Sequence, residues 1–126
     1  MLINYNYLSI LVTFLLQGKE KKSSTSTTIV TPITIHPTID KAAHYFGLEV
    51  IHIPIGPDFR ADVKALEKTI NSNTIMIAAS APQFCHGVVD PIGQISDIAL
   101  RRGLPFHVDA CFGGFMLPWY LDCDTF

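Results

Sequence analysis

Asp109 is the residue of this sequence whose type and position are most informative about chemistry. It follows an apolar stretch that contains Phe106 and Val108 and precedes Ala110. A carboxylate withdrawn from water there is costly unless a cation or a hydrogen-bond donor pairs with it. One interpretation is a helix cap or a structural ion pair, and the other is a charge partner for a bound cation or protonated ring. The Gly-Gly pair at 113–114 permits close backbone approach to a ligand, although a plain turn accounts for it equally well.

His107 lies two residues before Asp109, so on a strand the two side chains share a face. A metal site needs a third and often a fourth ligand, and the remaining histidines show no metal-binding spacing, so we predict no metal. The remaining histidines are His36, His44, His52 and His86. The sequence also contains no Gly-x-Gly-x-x-Gly, Walker or Gly-x-Ser-x-Gly motif. Dinucleotide binding, P-loop hydrolysis and serine-hydrolase chemistry are therefore not supported.

Alternating strands and helices are expected to position these residues. Apolar and β-branched runs predict strands at 29–35, 48–55, 74–80 and 105–110, the last two of them buried. Helical periodicity predicts three helices between them. This order is typical of an α/β domain with a mostly parallel sheet. Ligands in such sheets bind beyond the carboxyl ends of the strands, which directs attention to His36, Ser80 and Asp109.

Cap and turn residues sharpen these predictions. Thr38 and Asp62 are predicted to cap the first two helices, and Asp90 with Pro91 to begin the third. Glycines at 47 and 103 are predicted to end the first and third helices. Pro32 indicates that the first strand is an edge strand or stops early.

Composition excludes several classes of protein. The 126 residues are 48% hydrophobic and 16% charged with a net charge of −2, which argues against disorder, a membrane bundle and nucleic-acid binding. The apolar run at 8–16 is too short to span a bilayer, and we read it as a soluble element, with a signal peptide as the minor alternative. Three cysteines without Cys-x-x-Cys spacing indicate a reducing compartment.

Three motifs lie between His36 and Trp119. The first is His36 followed by Lys-Ala-Ala at 41–43 and Tyr-Phe-Gly at 45–47. The second is Ala-Pro-Gln-Phe at 81–84 with His-Gly-Val-Val-Asp-Pro at 86–91. The third is His-Val-Asp-Ala-Cys-Phe-Gly-Gly-Phe at 107–115. Together the three motifs resemble the sphingosine-1-phosphate lyases, pyridoxal-phosphate (PLP) enzymes related to the group II amino-acid decarboxylases. The resemblance implies part of the large domain of a fold type I PLP-dependent enzyme.

The resemblance also assigns roles to individual residues. Asp109 is similar to the carboxylate that pairs with the pyridinium nitrogen of PLP. His36 is similar to the histidine that stacks on the cofactor ring. Ser80 corresponds to a small hydroxyl near the cofactor, although a strand-ending hydroxyl that bonds its own backbone is an equal alternative. Ala110 and His107 would pack against the cofactor and support Asp109, respectively.

The family reaction implied by this resemblance cleaves sphingoid base 1-phosphates to a long-chain aldehyde and phosphoethanolamine. The family also implies a homodimer and a location on the endoplasmic reticulum membrane with the catalytic domain facing the cytosol. We expect no nucleic-acid partner and no membrane span in this chain.

The sequence departs from the family pattern in two places. The family lysine that bonds to the cofactor lies downstream of the His-Val-Asp-Ala segment, and no lysine follows Lys68 here. The phosphate-binding loop is degraded, and only Ser9 is retained as a candidate phosphate ligand. We therefore expect a divergent N-terminal segment and exposed loop at 1–28 and a partial PLP-binding domain at 29–126, inactive alone. A non-catalytic binding or dimer-interaction module and a related PLP-dependent decarboxylase remain the alternatives.

Overall fold

The computed structural model describes residues 27–117. The expectations for Ser9, for the apolar run at 8–16 and for Trp119 lie outside this range. Four strands and three helices alternate along the described chain: β1 (Thr28–Pro32), α1 (Thr38–Phe46), β2 (Glu49–Ile53), α2 (Val63–Thr69), β3 (Thr74–Ser80), α3 (Ile92–Arg102) and β4 (Phe106–Asp109). No helix within residues 27–117 is long and apolar enough to cross a membrane.

The strands form one parallel sheet in the order β2-β1-β3-β4. β3 pairs with β1 through its first half and with β4 through its second half, from Ile77 opposite Phe106 to Ser80 opposite Asp109. The prediction of an α/β fold with a mostly parallel sheet is confirmed. Parallel pairing places the carboxyl ends of all four strands at one edge of the sheet.

Helices cover both faces of the sheet because β3 is apolar on both sides. Met76 and Ala78 face α1, where Ile39 and Ala43 are buried with Ile29 of β1. The alternate residues of β3 face the opposite side, and the buried residues on that side include Val30, Ile53, Leu66, Ile77, Ala79, Ile95 and Ile98. Every residue of β3 is buried, as its continuous apolar pattern predicted.

The helix ends follow the cap signals except at the starts of α1 and α3. Helix α3 begins at Ile92 with Pro91 at the N-cap and no side-chain cap, so Asp90 and Pro91 precede this helix instead of beginning it. Asp62 caps α2 by accepting a hydrogen bond from the Ala65 N–H at 3.0 Å, and Gly47 and Gly103 end α1 and α3 in left-handed conformations. The predicted Thr38 cap is wrong, because Pro37 holds the cap position and Thr38 is already the first helical residue.

Two strand predictions also need correction. The sequence predicted that β1 is an edge strand or stops early. It stops early, at Pro32, but it is an interior strand of the described sheet. Pro32 is tolerated there because the pairing with β3 ends at Val30. No carbonyl of β3 is therefore left without a donor by the missing N–H of the proline. β4, predicted to be buried, is only half-buried because it lies at the end of the described sheet.

Candidate functional site

The residues singled out from the sequence lie at the carboxyl edge of the sheet. Asp109 ends β4 and is the register partner of Ser80, the last residue of β3. The Ala81 N–H donates to the Asp109 carbonyl at 2.8 Å and continues this pairing into the loop. His36 follows β1, the neighbour of β3 on its other side. Because neighbouring strands are about 4.8 Å apart, the axes of β1 and β4 are separated by roughly 10 Å, with the end of β3 between them.

Asp109 is half-buried and is held by the residue two positions later. Its Oδ1 accepts a hydrogen bond from the Cys111 N–H at 3.2 Å. The side-chain hydrogen bond and negative charge of Asp109, together with partial burial, raise the pKa of the Cys111 thiol to about 11. Cys111 is therefore a neutral thiol at physiological pH. Within the described residues no ion pair involves Asp109, so the structural ion pair considered from the sequence is not observed there.

His107 is half-buried and lies two residues before Asp109 on β4. Burial lowers the pKa of His107 below its ordinary value of 6.5, and the nearby Asp109 carboxylate opposes that shift. The interaction between the two side chains is electrostatic. His107 is consequently neutral at physiological pH and acts on Asp109 as a polar neighbour.

The protonation of His36 follows from its contacts with the start of α1. Its Nδ1 accepts a hydrogen bond from the Thr38 N–H at 3.2 Å and lies 2.6 Å from the Thr38 hydroxyl. An N–H can only donate, so Nδ1 carries the lone pair and Nε2 carries the proton in the neutral ring. The ring is exposed and meets the edge of Phe84 at a centroid distance of 5.2 Å.

Asp90 anchors the end of β3, a role that the sequence did not reveal. Its side chain is 2% exposed and accepts from the Ser80 N–H at 2.9 Å and the Ala61 N–H at 3.0 Å. Its own N–H donates to the Ser80 carbonyl at 3.0 Å. Burial raises the pKa of Asp90, while these two N–H groups and the charge of Arg60 oppose the shift. Asp90 therefore holds Ser80 from both sides of its peptide backbone.

Gly113 lets the segment after β4 pack against the loop after β3. A Cβ on Gly113 would collide with the Ala81 carbonyl oxygen and lie 2.7 Å from Pro82 Cδ. The Ala110 carbonyl accepts from the Gly114 N–H at 2.8 Å and closes the turn that begins after Asp109. Gly113 is therefore explained by its close packing against the loop after β3, which is a contact within the protein and not an approach to a ligand.

Thr34, between β1 and His36, has a buried hydroxyl without a hydrogen-bond partner among residues 27–117. A buried hydroxyl without a partner is unusual in folded proteins and suits contact with a ligand or with another part of the protein. The described residues contain no group of three or more His, Cys, Asp or Glu side chains arranged to hold a metal ion. Sequence reasoning did not identify Thr34, although it placed this residue in the predicted strand at 29–35, because the burial and missing partner of one hydroxyl depend on contacts between distant segments.

The profile of the pyridoxal-dependent decarboxylase conserved domain matches residues 16–125, and the chain belongs to this family. Within it, the chain is similar to sphingosine-1-phosphate lyases. It is 50% identical over 101 residues to the Arabidopsis thaliana lyase and 46% identical over 89 residues to lyase 1 of Rattus norvegicus.

A solved structure gives the same result. The sphingosine-1-phosphate lyase of Burkholderia pseudomallei K96243 superposes with a TM-score of 0.83 at 33% identity over 90% of this chain. The chain spans 26% of that structure, 19% of the Arabidopsis lyase and 16% of the rat lyase. The Arabidopsis match covers 80% of this chain and the rat match 71%.

The described residues fit the family's cofactor, pyridoxal 5'-phosphate. A carboxylate ends β4, an exposed imidazole follows β1, and the end of β3 lies between them. The separation of roughly 10 Å between the flanking strands is wide enough for an aromatic ring. The hydroxyl of Thr34 supplies a further unpaired polar group at the same edge.

Proposed function

We propose that this chain forms part of a PLP-dependent lyase that cleaves sphingoid base 1-phosphates to a long-chain aldehyde and phosphoethanolamine. The observation that carries the proposal is the arrangement of His36, Ser80 and Asp109 at the ends of three adjacent strands. Similarity to lyases from a plant, an animal and a bacterium supports the assignment of substrate class.

In this proposal each strand end has a task in holding the cofactor. The Asp109 carboxylate keeps the proton on the pyridine nitrogen, so that the bound ring supplies an electron-accepting system. The His36 ring packs against the cofactor ring, with its Nδ1 already bonded to the Thr38 N–H. Ser80, fixed by Asp90, contributes a small polar surface between them.

The supporting residues complete the proposed site. Ala110 gives a small apolar contact beside Asp109, and the neutral His107 supports that carboxylate. Ser9 is the proposed phosphate ligand, on the strength of the family resemblance.

We further propose that these 126 residues do not catalyse the reaction by themselves. The lysines that the structure describes nearest to the motifs, Lys41 and Lys68, are exposed on α1 and α2. No lysine follows Lys68 in the sequence. A homodimer and attachment to the cytosolic face of the endoplasmic reticulum are proposed on the family resemblance alone.

Borohydride reduction tests the claim about the lysine. The purified chain is mixed with one equivalent of PLP, reduced and digested, and its peptides are analysed by mass spectrometry. We expect no lysine to carry the pyridoxyl group stoichiometrically, including Lys41 and Lys68. Stoichiometric labelling of one lysine would show that the chain carries its own attachment residue.

A chimera tests the proposed substrate. Residues 27–117 replace the matching segment of the Burkholderia lyase, which supplies the rest of the large domain. We expect the chimera to release a long-chain aldehyde from a sphingoid base 1-phosphate. The decarboxylase alternative has some support, because the chain is 41% identical over 99 residues to a probable L-tyrosine/L-aspartate decarboxylase of Methanosarcina barkeri. Release of carbon dioxide from tyrosine or aspartate without aldehyde formation would favour that alternative.

A further inference from the structure

Gln83 is a buried glutamine whose two side-chain ends have different partners. It is 1% exposed, and its Nε2 donates to the Phe59 carbonyl oxygen at 2.6 Å. A backbone carbonyl only accepts, so the amide nitrogen must lie on that side. The Oε1 of Gln83 is consequently fixed at the other end of the amide.

Oε1 of Gln83 lies 2.8 Å from Nδ1 of His86. Because Oε1 is also only an acceptor, Nδ1 of His86 must carry a proton. The His86 ring stacks on the Phe59 ring at a centroid distance of 4.7 Å and an interplanar angle of 26°. Gln83 therefore bonds the backbone carbonyl of Phe59 through Nε2 and the Nδ1 atom of His86 through Oε1.

This cluster of Phe59, Gln83 and His86 belongs to the loop system at the candidate site. The loop that contains Gln83 and His86 begins directly after Ser80. The same loop contains Phe84, whose ring contacts the ring of His36. The loop is closed by hydrogen bonds from the Gln83 N–H to the Val88 carbonyl and from the Gly87 N–H to the Gln83 carbonyl, both at 3.0 Å. Among residues 27–117, Nε2 of His86 has no hydrogen-bond partner.

We propose that Gln83 is a positioning residue that fixes His86 as its Nδ1-protonated tautomer and leaves Nε2 as its hydrogen-bonding atom at the rim of the candidate cofactor site. His36 and His86 then have opposite neutral tautomers. His36 exposes an N–H donor at Nε2, whereas His86 exposes an acceptor lone pair at the same ring position. The rim would thus offer an incoming polar ligand one donor and one acceptor.

Nitrogen NMR of the histidine-labelled 126-residue chain tests this proposal directly. Long-range proton–nitrogen correlations in mildly alkaline solution identify which ring nitrogen of His86 is protonated, with the signals assigned from the His86→Phe variant. We expect the Nδ1–H form to predominate, with a ratio of Nδ1–H to Nε2–H at least about fivefold higher than in a chain that lacks the Gln83 hydrogen bond, the shift expected of one net hydrogen bond. A dominant Nε2–H form in the unsubstituted chain would overturn the proposal.

A pair of variants separates positioning from general packing. Gln83→Met keeps a similar volume but removes both hydrogen bonds, and we expect the His86 ring to move toward the Nε2–H form that free neutral histidine favours, while His36 keeps its Nε2–H form. Gln94→Met, at an exposed position of α3, is the matched control and is expected to leave both tautomers unchanged. An unchanged His86 preference in a folded Gln83→Met chain would also overturn the proposal, and the measurement on the unsubstituted chain decides the question if that variant does not fold.

Discussion

Asp109 governs the protonation of the side chains close to it. Its carboxylate is the main cause of the raised pKa of Cys111, and it limits how far burial lowers the pKa of His107. Both neighbours are neutral at physiological pH, so Asp109 faces the candidate site without a compensating cation among the described residues. Such a carboxylate is suited to the protonated ring nitrogen that we propose as its partner.

Replacing Asp109 is expected to expose its effect on Cys111. In Asp109→Asn the pKa of the thiol should fall from about 11 toward its ordinary value of 9.0, because the carboxylate no longer accepts from it or repels the thiolate. Two pKa units correspond to a rate of alkylation by iodoacetamide up to about a hundredfold higher at the same pH. Peptide mass spectrometry reads the rate at each cysteine. The Asp97→Asn control, at an exposed site on α3, should leave Cys111 unchanged; equal rates in both variants would refute the coupling.

The same substitution should shift His107 in a defined direction. The Asp109 charge raises the pKa of His107, so its removal should lower that pKa further below 6.5. At a pH between the pKa of folded His107 and the ordinary value of 6.5, the unfolded chain binds a proton that the folded chain does not bind. The stability associated with neutral His107 is complete above about pH 6.5 and is lost as the pH falls through the folded pKa. An NMR titration of His107 measures the shift, and an upward movement in Asp109→Asn would contradict the account.

At the residue scale, the sequence predicted positions more successfully than partners. The spacing of His107 and Asp109 on a short apolar strand was enough to place both near one strand end. The contacts of Gln83 and Asp90 were not predictable, because they join loops 24 and 29 residues apart and depend on the packing of β2, β3 and α3. The assigned roles in cofactor binding remain predictions.

Among the elements, β3 is central because its end is tied to both neighbouring loops. Asp90 connects the Ser80 N–H with the Ala61 N–H that precedes α2. Asp90 is buried, so removing its carboxylate would leave two backbone donors without a partner. The position of Ser80 therefore depends on a residue that lies two positions before the first residue of α3.

Asp90→Ala is expected to destabilise the fold by about 2–6 kcal/mol, since it leaves two buried N–H groups unpaired and each costs about 1–3 kcal/mol. Asp90→Asn retains one acceptor oxygen and should cost about half as much. Denaturant unfolding measures both free energies. Asp97→Ala, an exposed substitution, should change stability by less than about 0.5 kcal/mol. If Asp90→Ala were no more harmful than this control, the anchoring role of Asp90 would be wrong.

Element types followed from the sequence because they depend on local periodicity. Neighbouring residues alone determine these helix ends. They are the left-handed glycines at 47 and 103 and the Asp62 cap. The position of β1 in the sheet did not follow, because strand order depends on contacts between distant segments. Thr38 was misjudged as a cap because the imidazole of His36 and the preceding proline occupy the start of α1.

At the scale of the whole molecule, large apolar side chains are exposed beyond β4. Phe112, Phe115 and Met116 are 67%, 69% and 56% exposed. They follow Asp109 at the same edge as the candidate site. The chain spans only 26% of the Burkholderia lyase, so we propose that further parts of the family fold cover these side chains in a complete enzyme.

The most direct test of the central claim is the lyase turnover of the Burkholderia chimera with and without Asp109. Asp109→Ala in the chimera removes the proposed partner of the ring nitrogen, and Asp97→Ala serves as the control. We predict that Asp109→Ala lowers kcat at least about a hundredfold, the effect expected of a preorganised electrostatic group, while the control stays close to the unsubstituted chimera. Near-normal turnover in the Asp109→Ala chimera would contradict the account.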